Sequence, residues 1–448
     1  MPCPAFARLL LFLPLVGLTL ADDGRVIPEL RSDEARIERH ILELSAFGAN
    51  PGGGVSRVAF SQADVDGREY IRGLMLQAGL EVRIDTAGNL IGRRPGNADR
   101  GNADPGSPTL PPILIGSHID SVPGGGNYDG NVGVIGAIEV AQVLHESGTR
   151  LRHPLEVAVF ADEEGGLSGS RAMIGKLGPQ ALQAVSHSGL TIADGIRAIG
   201  GDPERLTEAR RQPGDLAAFV ELHIEQGAVL YDEGVDIGVV TGIVGIQWWE
   251  VIVTGVANHA GTTPMDKRQD ALLAAAELIL AVNRVITAEP GAQVGTVGRI
   301  AAEPGAPNVI PGRVVMSLEL RDLSSETMLR VYRGIEAEAL AIAGRSGTTI
   351  EFRHVDMDAS PAPTDGRIRD LIAAAAANLG LSHKAMPSGA GHDAQDLAQI
   401  APTGMIFVPS VAGVSHSPLE FTRPRDIANG ANMLLHTVLA IDRGSLEQ

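Results

Sequence analysis

Two short apolar runs, residues 113–120 (ILIGSHID) and 155–164 (LEVAVFADEE), each end abruptly in histidine or carboxylate side chains, and a stretch of small residues from 130 to 145 separates them. Runs of this length without polar alternation describe strands buried on both faces, which belong to parallel sheets covered by helices. The rhythm of strand, loop, helix and strand predicts α/β layering, in which ligands gather at the carboxyl ends of strands. Both the acidic and the histidine-bearing motifs fall at those ends.

The rest of the chain extends this frame and then interrupts it. Residues 32–47 carry Ile37, Ile41 and Leu44 at helical spacing, and 61–78 repeats the pattern before Gly79. The polar stretch 96–108, in which GNAD occurs twice, has the composition of a solvated loop. Near Gly242 the pattern changes to a strand (247–256), a helix (266–287), strands near Val294 and Val314, a helix (325–343) and a strand (349–355). That order is a βαββαβ unit. After Pro361 and Pro363 a helix (368–379) and further α/β segments follow. A chain of 448 residues exceeds what one core serves. The reading is one mixed, mostly parallel α/β domain with helices on both faces, in two pieces (22–240 and 358–448), and a second domain inserted at 241–357.

Charge and the N-terminus narrow the function. Acidic residues outnumber basic ones by 54 to 36, for a net charge of −18, and only 3% of residues are aromatic. A polyanion is repelled by such a surface, so nucleic acid is excluded as a partner. Residues 1–21 combine Arg8 with an apolar run at 9–20 and small residues at Thr19 and Ala21. That is a signal peptide pattern, too short to span a membrane, and the protein is expected to be exported to a periplasm or secreted. The single cysteine, Cys3, lies inside this segment. Any metal must therefore be held by His, Asp and Glu.

Four motifs carry chemistry. In GSHIDSVPGGGNYDGNVGV (116–134), His118 and Asp120 lie two apart at a strand end, placing a ligand and an orienting carboxylate on one face. Asp129 follows a glycine-rich turn and precedes a helix. There it either caps the helix or bridges two cations ~3.5–4 Å apart. Asp162, Glu163 and Glu164 crowd one strand terminus. Adjacent buried carboxylates repel unless a cation or proton offsets them, so one becomes a ligand beside a general base; an exposed acidic face is the alternative. ELHIEQG (221–227) and GVSHSPLE (413–420) each add one histidine. A lone histidine is usually structural, but this set of imidazoles and carboxylates suits Zn²⁺, Mn²⁺ or Co²⁺.

Together these motifs resemble the hydantoinase/carbamoylase branch of the peptidase M20 metalloenzymes, which includes N-carbamoyl-L-amino acid hydrolases, allantoate amidohydrolases and β-ureidopropionases. The likeness runs from GGGVSRVAF (52–60) through DTAGNLIGR (85–93) to MIFVPSVAGVSHSPLE (405–420). It implies a zinc-aminopeptidase-like catalytic domain, an inserted ferredoxin-like dimerisation and lid domain, and two divalent metal ions. His118 and His223 would hold one ion, Glu164 and His416 the other, and Asp129 would bridge them. Glu163 becomes the catalytic base, with Asp120 orienting His118. GVANHAGTTPMDKRQDA (255–271) resembles the signature whose histidine, His259, reaches the partner subunit's site and stabilises an oxyanion, which implies a homodimer. Gln226 matches a substrate-contacting glutamine, and Asn308 with Arg321 the pair that grips the carboxylate of a small-molecule substrate. SGAGHDAQ (388–395) brings His392, a substrate contact, and Asp393 to the site. One departure stands out: EEGGLSGSRAM lacks several residues that the family commonly carries after its paired glutamates. The implied activity is C–N cleavage in an N-carbamoyl amino acid, with allantoate amidohydrolase or β-ureidopropionase as alternatives. An exported binding protein without turnover is the reading from another class.

Overall fold

The computed structural model describes residues 30–97 and 110–446, together with the paired segments Leu18–Leu20 and Val26–Pro28. All but Leu18–Leu20 of the expected signal segment 1–21, and most of the polar stretch 96–108, lie outside the described residues. Helices α1 (Glu34–Leu44) and α2 (Gln62–Gln77) begin where sequence reading places them, because Asp33 and Ser61 accept backbone N–H groups of the first turn.

A nine-stranded sheet follows. Its members are β1 (Glu81–Ile84), β2 (Leu90–Arg94), β3 (Ile113–His118), β4 (Leu155–Phe160), β5 (Ala218–Ile224), β6 (Ile237–Ile243), β12 (Ala362–Pro363), β13 (His383–Ser388) and β14 (Thr403–Val408). Their spatial order is β12-β6-β14-β5-β3-β4-β2-β1, with β13 beside β6. The central four, β14, β5, β3 and β4, are parallel, and the flanks are antiparallel at β4–β2, β2–β1 and β14–β6. Alternate residues of the central strands feed two separate cores. Ile113, Ile115, Val157, Val220 and Leu222 share a core with α3 (Asn131–Glu146), α6 (Gly366–Leu379) and α8 (Pro424–Asp442), whereas Leu114, Ala158, Phe160, Phe219 and Phe407 pack on the other face. Both faces are covered, which is why these strands show no polar alternation.

The inserted unit is built on another pattern. β7 (Gly245–Thr254), α4 (Ala271–Ala288), β8 (Val294–Thr296), β9 (Ile300–Glu303), β10 (Arg313–Asp322), α5 (Ser325–Ser346) and β11 (Thr349–Ala359) form an antiparallel sheet in the order β8-β10-β7-β11, with β9 also on β10. β10 alternates buried and half-exposed residues, since only one face meets the two helices. β8 and β9 occupy one line along β10, shifted in register between Thr296 and Ile300, so the second strand of the expected βαββαβ order is one strand with a bulge. Sheet membership passes between the units at Val244 and at Ser360–Pro361. Both crossings fall later than the expected 241 and 357, because β6 runs past Gly242 and pairs with β12.

Candidate metal centre

Asp129 is the centre of the site. Its Oδ1 lies 3.6 Å from His118 Nε2 and 3.2 Å from His223 Nε2, while its Oδ2 lies 3.2 Å from His416 Nε2. His416 Nε2 is in turn 3.5 Å from Glu164 Oε2. The carboxylate thus belongs to two trios of donors, His118–Asp129–His223 and Asp129–Glu164–His416, one on each oxygen. Of the two readings of Asp129, the helix cap fails: Gly130 is the cap residue, and no side chain caps α3.

Each donor is set by its place on the sheet. His118 ends β3 and donates through Nδ1 to the carbonyl of Asp120 at 3.0 Å, which leaves Nε2 as the lone-pair nitrogen. His223, on the neighbouring β5, does the same with the carbonyl of Ile224 at 2.9 Å. Gly130, at φ +65°, is required because a Cβ there would stand 2.5 Å from the His118 ring. Glu163 and Glu164 open a short helix after β4, and Glu163 Oε2 stands 3.7 Å from His118 Nε2. Non-glycine residues at positive φ gather around this cage: Asp162, Leu167, Gln226, Ala412 and His416, with Phe60 elsewhere. Such conformations cost ~1–3 kcal/mol each and persist where the surroundings dictate them.

The electrostatics fit a cation. Burial opposes charge on His118, yet Glu163, Asp129 and Asp120 outweigh it and raise its pKa. Burial likewise opposes ionisation of Asp129, but the imidazoles of His118, His223 and His416 around it hold it well below the usual carboxylate range. The hydrogen bond to Asp129 pushes His416 up to about 9. Glu164 is pushed up to about 7 by burial and by Asp129, and burial, with Asp393 and Glu164, raises Glu163 well above the ordinary value. A field that adds protons to imidazoles at this density favours divalent ions in their place. Two buried atoms of the cage, His118 Nε2 and Glu164 Oε1, have no hydrogen-bond partner, as expected of metal donors. The residues present fit a pair of divalent ions held by N and O ligands.

Several expected roles are placed differently. Asp120 orients His118 with its carbonyl, and its carboxylate, 3.7 Å from the same ring nitrogen, accepts the backbone N–H groups of Glu163 (3.3 Å) and Glu164 (3.1 Å). His392, expected to touch substrate, is fully buried behind His223, with ring centroids 4.4 Å apart, and shares a 2.8 Å hydrogen bond with Ser388 Oγ. Asp393 is buried below it with neither carboxylate oxygen paired. Gln226 donates to Asp129 Oδ2 at 2.6 Å. His259 and Asn308 are exposed side chains on a small ribbon of the inserted unit, in which His259 pairs with Val309. The Nδ1 of His259 accepts from the N–H groups of Gly261 and Thr262, leaving the ring hydrogen on Nε2. Arg321 forks onto Glu319 through Nε (2.6 Å) and Nη2 (3.3 Å), and its Nη1 crosses to the carbonyl of Gly389 at 2.8 Å.

Sequence reasoning missed Glu420. Its Oε1 accepts from the backbone of Tyr128 (2.8 Å) and Asp129 (3.0 Å), and its Oε2 from Ser415 Oγ (2.9 Å) and the backbone of His416 (3.2 Å). A carboxylate four residues after the last ligand was the available signal.

Histidines and carboxylates converging at the carboxyl ends of parallel strands, beside an inserted antiparallel unit, define a hydrolase with a cage suited to divalent metal. The chain belongs to peptidase family M20/M25/M40, whose model matches residues 114–440. It is 41% identical over 414 residues to an N-carbamoyl-L-amino acid amidohydrolase of Geobacillus stearothermophilus, covering 91% of this chain and 98% of that one. It is 40% identical over 422 residues to a ureidoglycolate hydrolase of Arabidopsis thaliana, covering 91% and 87%. A solved hydantoinase/carbamoylase family amidase from Burkholderia ambifaria superposes with a TM-score of 0.82 at 34% identity, covering 92% of this chain and 98% of that chain. The protein is accordingly a hydrolase of C–N amide bonds, and the alternative of a binding protein without turnover has no support.

Proposed function

We propose that this chain hydrolyses the ureido C–N bond of a small N-carbamoyl amino acid, as an exported homodimer carrying two divalent ions per site. The observation that carries the reading is the split of Asp129 between two donor trios, with Glu163 beside them. Divalent ions held there supply an acidified water and a polarised carbonyl. Glu163, whose burial favours holding a proton, accepts one from the attacking water and passes it to the departing nitrogen. His259 carries its ring hydrogen on Nε2 and donates it to the developing oxyanion, from the partner's inserted domain. Arg321 has its Nε edge occupied by Glu319 and one Nη1 hydrogen on the Gly389 carbonyl, which leaves one N–H on each of Nη1 and Nη2 for a substrate carboxylate, with Asn308 as second donor. The signal pattern supports export. Cleavage of a ureidoglycolate-type substrate is the second reading, supported by the plant relative.

The test is a panel: metal-loaded protein incubated with N-carbamoyl, N-formyl and N-acetyl L-amino acids, ureidoglycolate and allantoate, reading ammonia and free amino acid. Fastest release from N-carbamoyl amino acids is expected. No release above background from any ureido compound would overturn the reading.

A further inference from the structure

The two chain crossings that join the inserted unit to the large sheet are short and lie against each other. Val244 alone separates β6 from β7, and Ser360 and Pro361 separate β11 from β12. At Gly245 a Cβ would stand 2.5 Å from Pro361, so the crossings touch. One side chain bonds both of them. Gln395, buried on the short helix α7 (Asp393–Leu397), donates through Nε2 to the carbonyl of Val244 at 3.1 Å and to the carbonyl of Ser360 at 2.8 Å. We propose that Gln395 is a positioning residue that clasps the hinge between the units and so sets where the inserted unit presents Arg321 and His259 to the cage.

The surrounding loop explains why a residue here can do this. The backbone of Val244 donates to the carbonyl of Ser388 at 3.0 Å, and Arg321 reaches the next carbonyl, that of Gly389. Ser388 holds His392, whose ring rests on His223. Residues 388–395 therefore touch the hinge, the guanidinium assigned to the substrate carboxylate, and a metal-donor histidine. Hinges are a few residues at the ends of elements that absorb a change in backbone angle. A single amide that bonds both connections holds them to one relative position. It is not replaceable by an apolar group of equal size, because the two carbonyls would then lose a shared donor.

The kinetic part of the inference rests on the amidohydrolase reading; the structural part does not, and the experiment separates them. Spin labels are placed on exposed positions of the two units with Arg333→Cys and Gln77→Cys in a Cys3→Ser background, and their distance distribution is measured by pulsed electron resonance in the full chain. Gln395→Met keeps the volume and removes the donor, and Gln395→Glu sets a carboxylate against the two carbonyls. The distribution is expected to broaden in the Met variant and further in the Glu variant, with metal content and circular dichroism unchanged. KM for a carboxylate-bearing substrate rises roughly tenfold, and more than KM for its uncharged amide analogue. Should one variant fail to fold, the other decides. A distribution identical to that of the parent overturns the clasp, and so does metal loss in step with activity. Absence of turnover in the parent would sink the substrate reading while leaving the distance measurement decisive for the hinge.

Discussion

Glu420 ties together two stretches of chain nearly three hundred residues apart, with one oxygen on the backbone of Asp129 and the other on that of His416. His416 serves only the half of the cage that holds Glu164, whereas Asp129, touched through its backbone, serves both. In Glu420→Gln one carboxylate oxygen becomes an NH₂ group, which must face either the Tyr128 and Asp129 amides or the Ser415 and His416 donors; two donors then oppose each other. Gly126 leaves no room to rotate away, since even a Cβ there would lie 2.2 Å from Glu420 Oε1. Affinity for the ion at Asp129, Glu164 and His416 is expected to fall ~10–100-fold, while the ion at His118 and His223 is retained. Titration against a competing chelator, with metal stoichiometry read directly, checks this; equal loss of both ions would show a general collapse instead. His118, Asp129, Glu164, His223 and His416 were legible in the sequence as a group because strand ends focus them. The pairing of Asp120 with His118 was legible too, but not that the carbonyl takes the hydrogen bond and frees the carboxylate for the Glu163 and Glu164 amides, because β3 stops at His118 and strand alternation no longer sets the geometry beyond it.

Helix α3 shows the element scale. It is buried almost throughout, and its small residues let it lie directly on β3 and β5. At Gly133 an added Cβ would meet the Leu222 carbonyl oxygen at 2.2 Å and Ser117 Cβ at 2.6 Å. Alanine is the better helix former by ~1 kcal/mol, so intrinsic propensity argues for a stabilised Gly133→Ala variant. Packing argues the reverse, and more strongly: the obstructing atom is backbone in the middle of a buried sheet, and overpacking costs ~1–3 kcal/mol. A lower urea midpoint is expected. A raised midpoint would show that the helix floats free of β5. The helix and the buried strands follow from local pattern, whereas α4, expected from 266, begins only at Ala271, after Asp270 caps it. The register shift between β8 and β9 and the crossing at Val244 do not follow from local pattern, since both depend on pairing with strands distant in sequence.

At the scale of the molecule, a two-piece sheet domain with an inserted second unit was legible because the two units obey different periodicities. Strands buried on both faces read as continuous apolar runs, and β10, covered on one face, alternates. The arrangement of units in an assembly has no such local signature, and the proposed role of His259 depends on it. In the single chain this histidine is exposed, and its hydrogen-bond partners lie within its own loop. α4 meanwhile leaves Leu272, Leu273 and Leu280 exposed on the inserted unit, a face suited to a second copy. If His259 serves the partner's cage, two damaged proteins repair each other when mixed. Glu163→Gln removes the base from its own site, and His259→Ala removes the oxyanion donor from its partner's site. In a mixed dimer, one site combines an intact Glu163 with an intact His259 and the other has neither. Because dimers are symmetric and chains exchange at random, half the dimers are mixed and half their sites are whole, so dissociating and reassociating an equal mixture should recover about a quarter of parental activity. Each variant alone should stay near background while keeping its metal. Recovery of nothing from a mixture shown to contain mixed dimers would place His259 in its own subunit's site, and near-parental activity of His259→Ala alone would place it outside catalysis.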